Sequence, residues 1–359
     1  MGIESNDLEP GRPDGPTTLP STTISRRNLM GAALAGVAGL SLAGRPRRAG
    51  GAAQERNAAR TDAQVDAQAR VAPLSIEDEP YIDAHSHIWT PDLDRYPLAE
   101  GFTRDDMQPP SFTAEELLAT CRPSGVGRVN LIQMSYYGFD NTYMLDMIAA
   151  YPDRFVGTAI IDPEGRDPAA EMAALATKGV RAFRVQPQLL NLPIDRWLDH
   201  PGYDAMFSKA PETRQAISFL IDPDALPEVD RACRAYPETA FIVDHLARIG
   251  VDGQFRSADI AALCDLSRNP NAYVKIGAFY ALSPMGPPYR DLAPLIRRVI
   301  DAYGPRRCMW ESDCPFQVVD HSYESSIDLI RSHLDFLDDD DRRWLLTRTA
   351  EELLFRPAP

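Results

Sequence analysis

The sequence predicts a single-domain, closed (β/α)8 barrel of the α/β class, and three observations carry that expectation. Between about residues 78 and 356, short apolar runs rich in β-branched side chains alternate with longer amphipathic ones, the pattern of strands feeding helices in a parallel sheet. Eight such pairs fit into about 280 residues, the span of one barrel. No Gly-rich phosphate loop follows any of the strands, which speaks against an open dinucleotide-binding sheet.

The elements follow in order. A first strand is expected at 81–88. Thr113 and Glu116 form a capping box, in which each side chain takes the other's free backbone donor, so a helix opens there and runs to Cys121. A strand at 126–134 and a helix at 141–151 come next, then a strand at 155–161. Asp167 and Pro168 start the following helix, Asp as cap and Pro in the first turn, where no N–H is needed. Strands at 180–185, 216–221, 240–245, 272–276 and 308–310 complete the eight. Helices at 201–209, 226–236, 257–267 and 289–303 separate them, and two more at 323–336 and 340–355 close the chain.

Of the 359 residues, 44% are hydrophobic and 25% charged, an ordinary globular mix with enough apolar material for a sizeable core. The formal charge of −15 is unevenly spread: residues 1–75 carry nine Arg and no Lys against seven acidic residues, which leaves 28 basic against 45 acidic residues, or −17, for the rest. So acidic a body is repelled by phosphate backbones, and no basic stripe offsets it, so nucleic acid is not an expected partner. The five cysteines are odd in number and scattered, without a C-x-x-C pair, and read as ordinary thiols rather than a disulfide framework or zinc ribbon.

Residues 1–24 are rich in Gly, Pro, Ser and Thr and are expected to be disordered. Arg26 and Arg27 then lead into a mild apolar run at 31–44, followed by Arg45, Arg47 and Arg48. The run is shorter than the ~18 residues of a membrane span. This segment resembles a twin-arginine export signal. The resemblance implies residues 1–53 as signal region, the twin-arginine export machinery as partner, and a periplasmic or extracellular location with no stable membrane span after processing; the patternless Ala, Gln, Arg and Asp that follow read as a flexible linker at 54–77.

Reactive side chains gather at the ends of the expected strands, where barrels keep their active sites. His85 and His87 stand two apart at the end of strand one, so both point the same way and can grip one metal ion or flank one substrate group. Strand six ends in Asp244-His245, and strand eight runs into Glu311-Ser312-Asp313-Cys314-Pro315-Phe316. Imidazoles and a carboxylate suit a borderline metal such as zinc, with one position left open for water.

Taken together, D-A-H-S-H-I-W at 83–89, G-V-R-A-F-R at 179–184, V-D-H-L-A-R at 243–248, Y-V-K-I-G at 273–277, E-S-D-C-P-F at 311–316 and T-A-E-E-L-L-F at 349–355 resemble the amidohydrolase superfamily. The likeness is to its amidohydrolase-2 branch of (β/α)8 hydrolases, lactonases and decarboxylases. It implies His85, His87 and Asp313 as ligands of one divalent ion, zinc or manganese, and His245 as the histidine that orients or polarises the substrate. The superfamily's further ligands on strands four and five are missing here: strand four offers Arg181 and Arg184, and strand five reads I-S-F-L-I-D. Two metals are therefore not expected, and a metal-free mechanism, as in some lactonases of this branch, stays open.

Further residues are expected around the substrate. Arg184, and less so Arg181, can hold a carboxylate bidentately. Gln133 and Gln186 close strands two and four, Trp89, Tyr280 and Phe316 offer an apolar wall, and His321 lies in the loop after strand eight. Lys275 reads as half of an interior ion pair, and His200 and His333 as structural or solvated. The expected reaction is hydrolysis of a small carbonyl compound, foremost a lactone ester, with Asp313 as general base and His245 stabilising the carbonyl oxygen. Non-oxidative decarboxylation of an aromatic or muconate-type acid, and a barrel that only binds a ligand, are the alternatives. A small molecule is the expected partner, and a homodimer is open.

Overall fold

In the computed structural model, which describes residues 80–357, eight strands pair in parallel and in chain order. They are β1 (Tyr81–Ser86), β2 (Val126–Ile132), β3 (Phe155–Ala159), β4 (Val180–Val185), β5 (Ala216–Phe219), β6 (Phe241–Val243), β7 (Ala272–Ile276) and β8 (Cys308–Trp310). Just past its last strand the chain returns to the first: Asp313 N donates to His85 O at 2.9 Å and His87 N to Cys314 O at 2.7 Å. The fold is the single (β/α)8 barrel that the alternation predicts. The export segment at 1–53 and the linker at 54–77 lie outside the described residues.

Local chemistry sets the helix starts. Thr113 accepts from Glu116 N while Glu116 accepts from Thr113 N at 2.6 Å, opening the helix Ala114–Cys121, and Asp167 caps Pro168–Ala176 through Ala170 N at 2.9 Å. Element ends depart from expectation in a consistent way. Strands one, two, three, five and six stop at residues 86, 132, 159, 219 and 243, each two residues early. The residues beyond, among them Ile88, Met134, Ile161 and Ile221, are nonetheless buried, because loops crowd the barrel mouth. Hydrophobicity therefore outlasts the hydrogen-bonded ladder. The helix expected at 201–209 continues to Thr213, that at 289–303 begins only at Ala293, and the last two contain wider turns at Leu329–His333 and Trp344–Arg348.

Inside the barrel, Ile82, Ala84, Val156, Ala182, Ala216, Ile242 and Met309 pack with Ala350 and Leu354 of the helix Thr349–Leu354. This plug seals the end at which the strands begin. A larger apolar cluster fills the space between strands and surrounding helices. Among the described residues no helix is long and apolar enough to cross a membrane.

Candidate active site

Above the plug the lumen turns polar. β1 carries a bulge: Asp83 faces Val129 and Ser86 faces Leu131 on β2, so three steps along one strand match two along the other. The extra residue lets His85 turn into the lumen one step after the inward-facing Ala84, and His87 follows two residues later. β4 contributes Arg184, β5 Ser218 and β7 Lys275 at inward positions of regular alternation. At Gly277, just after β7, an added Cβ would lie 2.1 Å from Glu311 Cγ and 2.2 Å from its carbonyl oxygen. Glycine alone lets this strand pass Glu311.

The segment after β6 is unusual. His245, Leu246, Ala247 and Arg248 are all left-handed, with φ of 53°, 54°, 54° and 57°, a conformation that costs roughly 1–2 kcal/mol per non-glycine residue. Burial of Leu246 and Ala247 and a hydrogen bond from His245 N to Glu311 Oε1 at 3.1 Å hold the turn. It delivers both His245 and Arg248 to the mouth. Asp313 is likewise left-handed at φ 57°.

Two charged groups of atoms result. At the floor, Asp244 Oδ1 accepts from Ser218 Oγ at 2.7 Å and pairs with Lys275 Nζ at 3.0 Å, while Arg184 Nη2 stands 3.5 Å from Asp244 Oδ2. Burial alone would push the Asp244 carboxyl up, but Lys275 and its other neighbours outweigh it and hold it well below the usual range. The interior ion pair expected for Lys275 is present. Above it, Glu311 Oε1 accepts from His245 Nδ1 at 2.6 Å and Glu311 Oε2 lies 2.9 Å from His85 Nδ1. Burial opposes a charged His245, yet Glu311 and Asp313 outweigh it and raise its pKa. For Asp313, too, burial is overcome by the three histidines, which keep the carboxyl ionised.

These partners decide which atoms face the open end. His87 Nδ1 meets Ile132 O at 3.0 Å, which leaves its Nε2 lone pair free, and burial lowers its pKa to about 4, so the ring is neutral at neutral pH. Tyr280 OH donates to Asp313 Oδ2 at 2.8 Å, while Asp313 Oδ1 meets no donor in hydrogen-bonding geometry. His85 Nε2 and His87 Nε2 are 3.3 Å apart, and Asp313 Oδ1 lies 3.6 and 3.2 Å from them. Ligands around a zinc ion at 2.0–2.1 Å are about 3.3–3.4 Å apart in a tetrahedron. The donor set therefore fits one divalent cation, with His245 forming a further trio with His85 and Asp313 within 4.8 Å. A second trio, His85, Asp244 and Glu311, already has the Lys275 ammonium against it. Arg184 Nη2 donates to His85 Nε2 at 2.8 Å, so a guanidinium also reaches this centre.

The cavity over these atoms is lined by His87, Arg184, Gln186, His245, Arg248 and Asp313, with Phe316 and Leu220 among its apolar walls. Several expected residues stand elsewhere. Arg181 is three residues from Arg184, hence on the opposite face of β4, and it donates to Arg356 O, Ala176 O and Val180 O at the plugged end. Gln133 braces its own loop by donating to Asp140 O at 2.6 Å. Trp89 is fully buried behind Phe316, its Nε1 bonded to Pro109 O at 2.8 Å. Tyr280 is a donor to Asp313 and not an apolar wall. His321 pairs with Tyr289 OH at 2.5 Å and is not among the cavity-lining residues. His200 accepts from Gly202 N at the start of the helix Pro201–Thr213, and His333 sits 3.2 Å from Arg290. The reading from sequence missed Arg248, which only the left-handed turn brings to the mouth. It also gave no role to Asp244, Glu311 and Ser218, although each stands at a strand end and two are ionisable, a signal that was open to use.

The family described as Amidohydrolase matches residues 82–356. The chain belongs to the amidohydrolase family. This amidohydrolase is 27% identical to L-fucono-1,5-lactonase of Burkholderia ambifaria over 244 residues, covering 65% of the chain and 80% of that protein. It is 27% identical over 235 residues to 4-sulfomuconolactone hydrolase of Hydrogenophaga intermedia, covering 65% and 74%. Among solved structures, an amidohydrolase from Burkholderia multivorans with bound zinc superposes at a TM-score of 0.64, with 21% identity, over 77% of this chain and 99% of that one. The family and these relatives make the chain an enzyme of the hydrolase type.

Proposed function

We propose that the enzyme hydrolyses a lactone that carries an anionic group. One observation supports this most directly: Asp313 has one oxygen tied by Tyr280 and the other bare, facing the His87 Nε2 lone pair and the His85 Nε2 that accepts from Arg184, beneath a cavity flanked by Arg184 and Arg248. Each guanidinium keeps a buried Nε without a hydrogen-bond partner, and together they would hold a carboxylate or sulfonate. Water adds through oxygen to the lactone carbonyl while its proton passes to Asp313 Oδ1. His245, its charge favoured by Glu311 and Asp313, donates to the carbonyl oxygen as negative charge develops there. The ring C–O bond then breaks, the departing oxygen takes a proton back, and a hydroxy acid leaves. A divalent ion held by His85, His87 and Asp313, zinc in this reading and manganese in the alternative, would acidify a water and polarise the carbonyl.

A pH-stat assay on sugar lactones and carboxylated enol-lactones tests the reading. Hydrolysis releases acid at each turnover, and Asp313→Asn lowers kcat/KM by about 10²–10⁴-fold; an unimpaired variant sinks the assignment. The two arginines also suit the second reading, non-oxidative decarboxylation of an aromatic or muconate-type acid, which releases CO₂. A chelator-treated enzyme that keeps its full rate would move the chemistry to Asp313 and the histidines alone. Residues 1–53 fit an export signal joined by the linker at 54–77. A reporter fused to residues 1–53 should lose export when Arg26 and Arg27 are both changed to Lys, and unaltered export would remove this reading.

A further inference from the structure

Asp83 belongs to the same motif as His85 and His87, yet no step above uses it. It is fully buried, and among the described residues no cation pairs with it. Instead it takes five donors. Oδ1 accepts from His85 N at 3.1 Å and Ser312 N at 2.9 Å. Oδ2 accepts from Ser86 Oγ at 2.7 Å, Ser312 Oγ at 2.5 Å and Tyr323 OH at 2.7 Å. Tyr323 starts the helix Tyr323–Asp328, so Asp83 points outward while its neighbours Ile82 and Ala84 pack in the lumen.

On a regular strand that alternation would send His85 outward with Asp83. The bulge reverses it, and a bulge leaves an amide without its ladder partner. Asp83 Oδ1 takes the amide of His85 and, with the same oxygen, the amide of Ser312, next to Asp313. One carboxylate thereby fixes the bulge that turns His85 inward and the separation between the histidines of β1 and the aspartate after β8.

We infer that Asp83 is the positioning residue of the active site: through its hold on the His85 and Ser312 amides it sets the His85, His87 and Asp313 triangle. Its two oxygens divide the work, Oδ1 fixing the site and Oδ2 anchoring the outer helix.

Cobalt(II) titration of the chelator-treated protein, followed by its visible ligand-field bands, together with hydrogen exchange at the His85 amide, tests this; the cobalt readout rests on the cation reading, the exchange readout does not. Asp83→Ala should weaken cobalt binding roughly 10- to 100-fold, alter the bands and speed exchange at His85. Asp83→Asn keeps both Oδ1 bonds, and the three hydroxyls can turn to accept from its amide, so it should match the parent. Ser86→Ala with Tyr323→Phe strips two donors from Oδ2 and leaves both Oδ1 bonds and the Ser312 Oγ acceptor of Cys314 N in place; it should melt lower yet keep parental cobalt affinity, bands and His85 exchange. A merely structural Asp83 predicts otherwise: Asp83→Ala would melt lower with cobalt binding and bands unchanged, which overturns the inference. So does an Oδ2 double variant that loses cobalt binding or His85 protection. Should Asp83→Ala not fold, the double variant decides. Should the parent take up no cobalt, the cation reading fails by itself, and His85 exchange still separates the variants.

Discussion

The two ends of the barrel are made from the same eight strands and obey opposite rules. Where the strands begin, the lumen is filled by Ile82, Ala84, Val156, Ala182, Ala216, Ile242 and Met309 under the last helix; a few residues further along, the same strands present His85, Arg184, Ser218, Asp244, Lys275 and Glu311, all buried. The plug is held by area removed from water and tolerates approximate fit. The polar layer is held by matched charges and donors, each of which leaves a costly orphan if its partner goes. Both ends carry stability, one through burial and the other through pairing, but the chemistry sits at the polar end alone.

Four changes would break or sharpen this contrast. The largest effect on stability is expected for Lys275→Met, which strands Asp244 without its cation and should cost about 3–5 kcal/mol in urea unfolding; a loss below 1 kcal/mol would mean Arg184 and Ser218 suffice for Asp244. Leu354→Ala in the plug should cost about 2–5 kcal/mol while kcat of the folded enzyme at low temperature stays parental. A fall in its kcat would show that the plug positions the site.

Acid should act on the polar end first. Burial holds His87 at about 4 against an ordinary value of 6.5, so the unfolded chain takes up this proton before the folded one. Stability of the chelated protein contributed by this group is therefore lost as pH falls from 6.5 towards 4 and is constant below, amounting to roughly 3 kcal/mol. His245 works in the opposite sense, since its raised pKa adds stability at low pH that fades as pH rises. The difference between parent and His87→Gln urea midpoints across that range isolates the first effect, and parallel curves would contradict it. The smallest effect is a gain: Ala247→Gly relieves a left-handed φ of 54° and should raise stability by about 1 kcal/mol. A lower melting temperature would mean that the Ala247 methyl packs better than its backbone is strained.

Reading the sequence recovered the barrel because alternation of apolar runs is a local property, and it placed every strand while ending five of them two residues late. Burial at the mouth continues after pairing stops, and composition registers only burial. Of the candidate residues, His87, His245, Asp313, Arg184, Gln186 and Phe316 line one cavity, and His85 is buried beside it, its Nε2 3.3 Å from His87 Nε2. Arg181 does not line it, because its parity on β4 differs from that of Arg184. Trp89, Gln133 and His321 sit in the right loops but spend their polar atoms on backbone or on a neighbouring side chain. Position at a strand end is legible in sequence; the direction of a side chain in the loop beyond it is not.

By itself, then, the sequence determined the strand and helix order, the acidic character of the body and the strand ends that carry reactive groups, since each depends on residues close together in the chain. The tertiary structure decided which of those groups meet. His85 turns inward only because a bulge shifts its parity, and Arg248 arrives only through a left-handed turn. The triangle of two histidines and one aspartate closes because Ser312, 229 positions along the chain from Asp83, binds the same carboxylate as the His85 amide. Contacts of that kind follow from closing the barrel, and no local pattern encodes them.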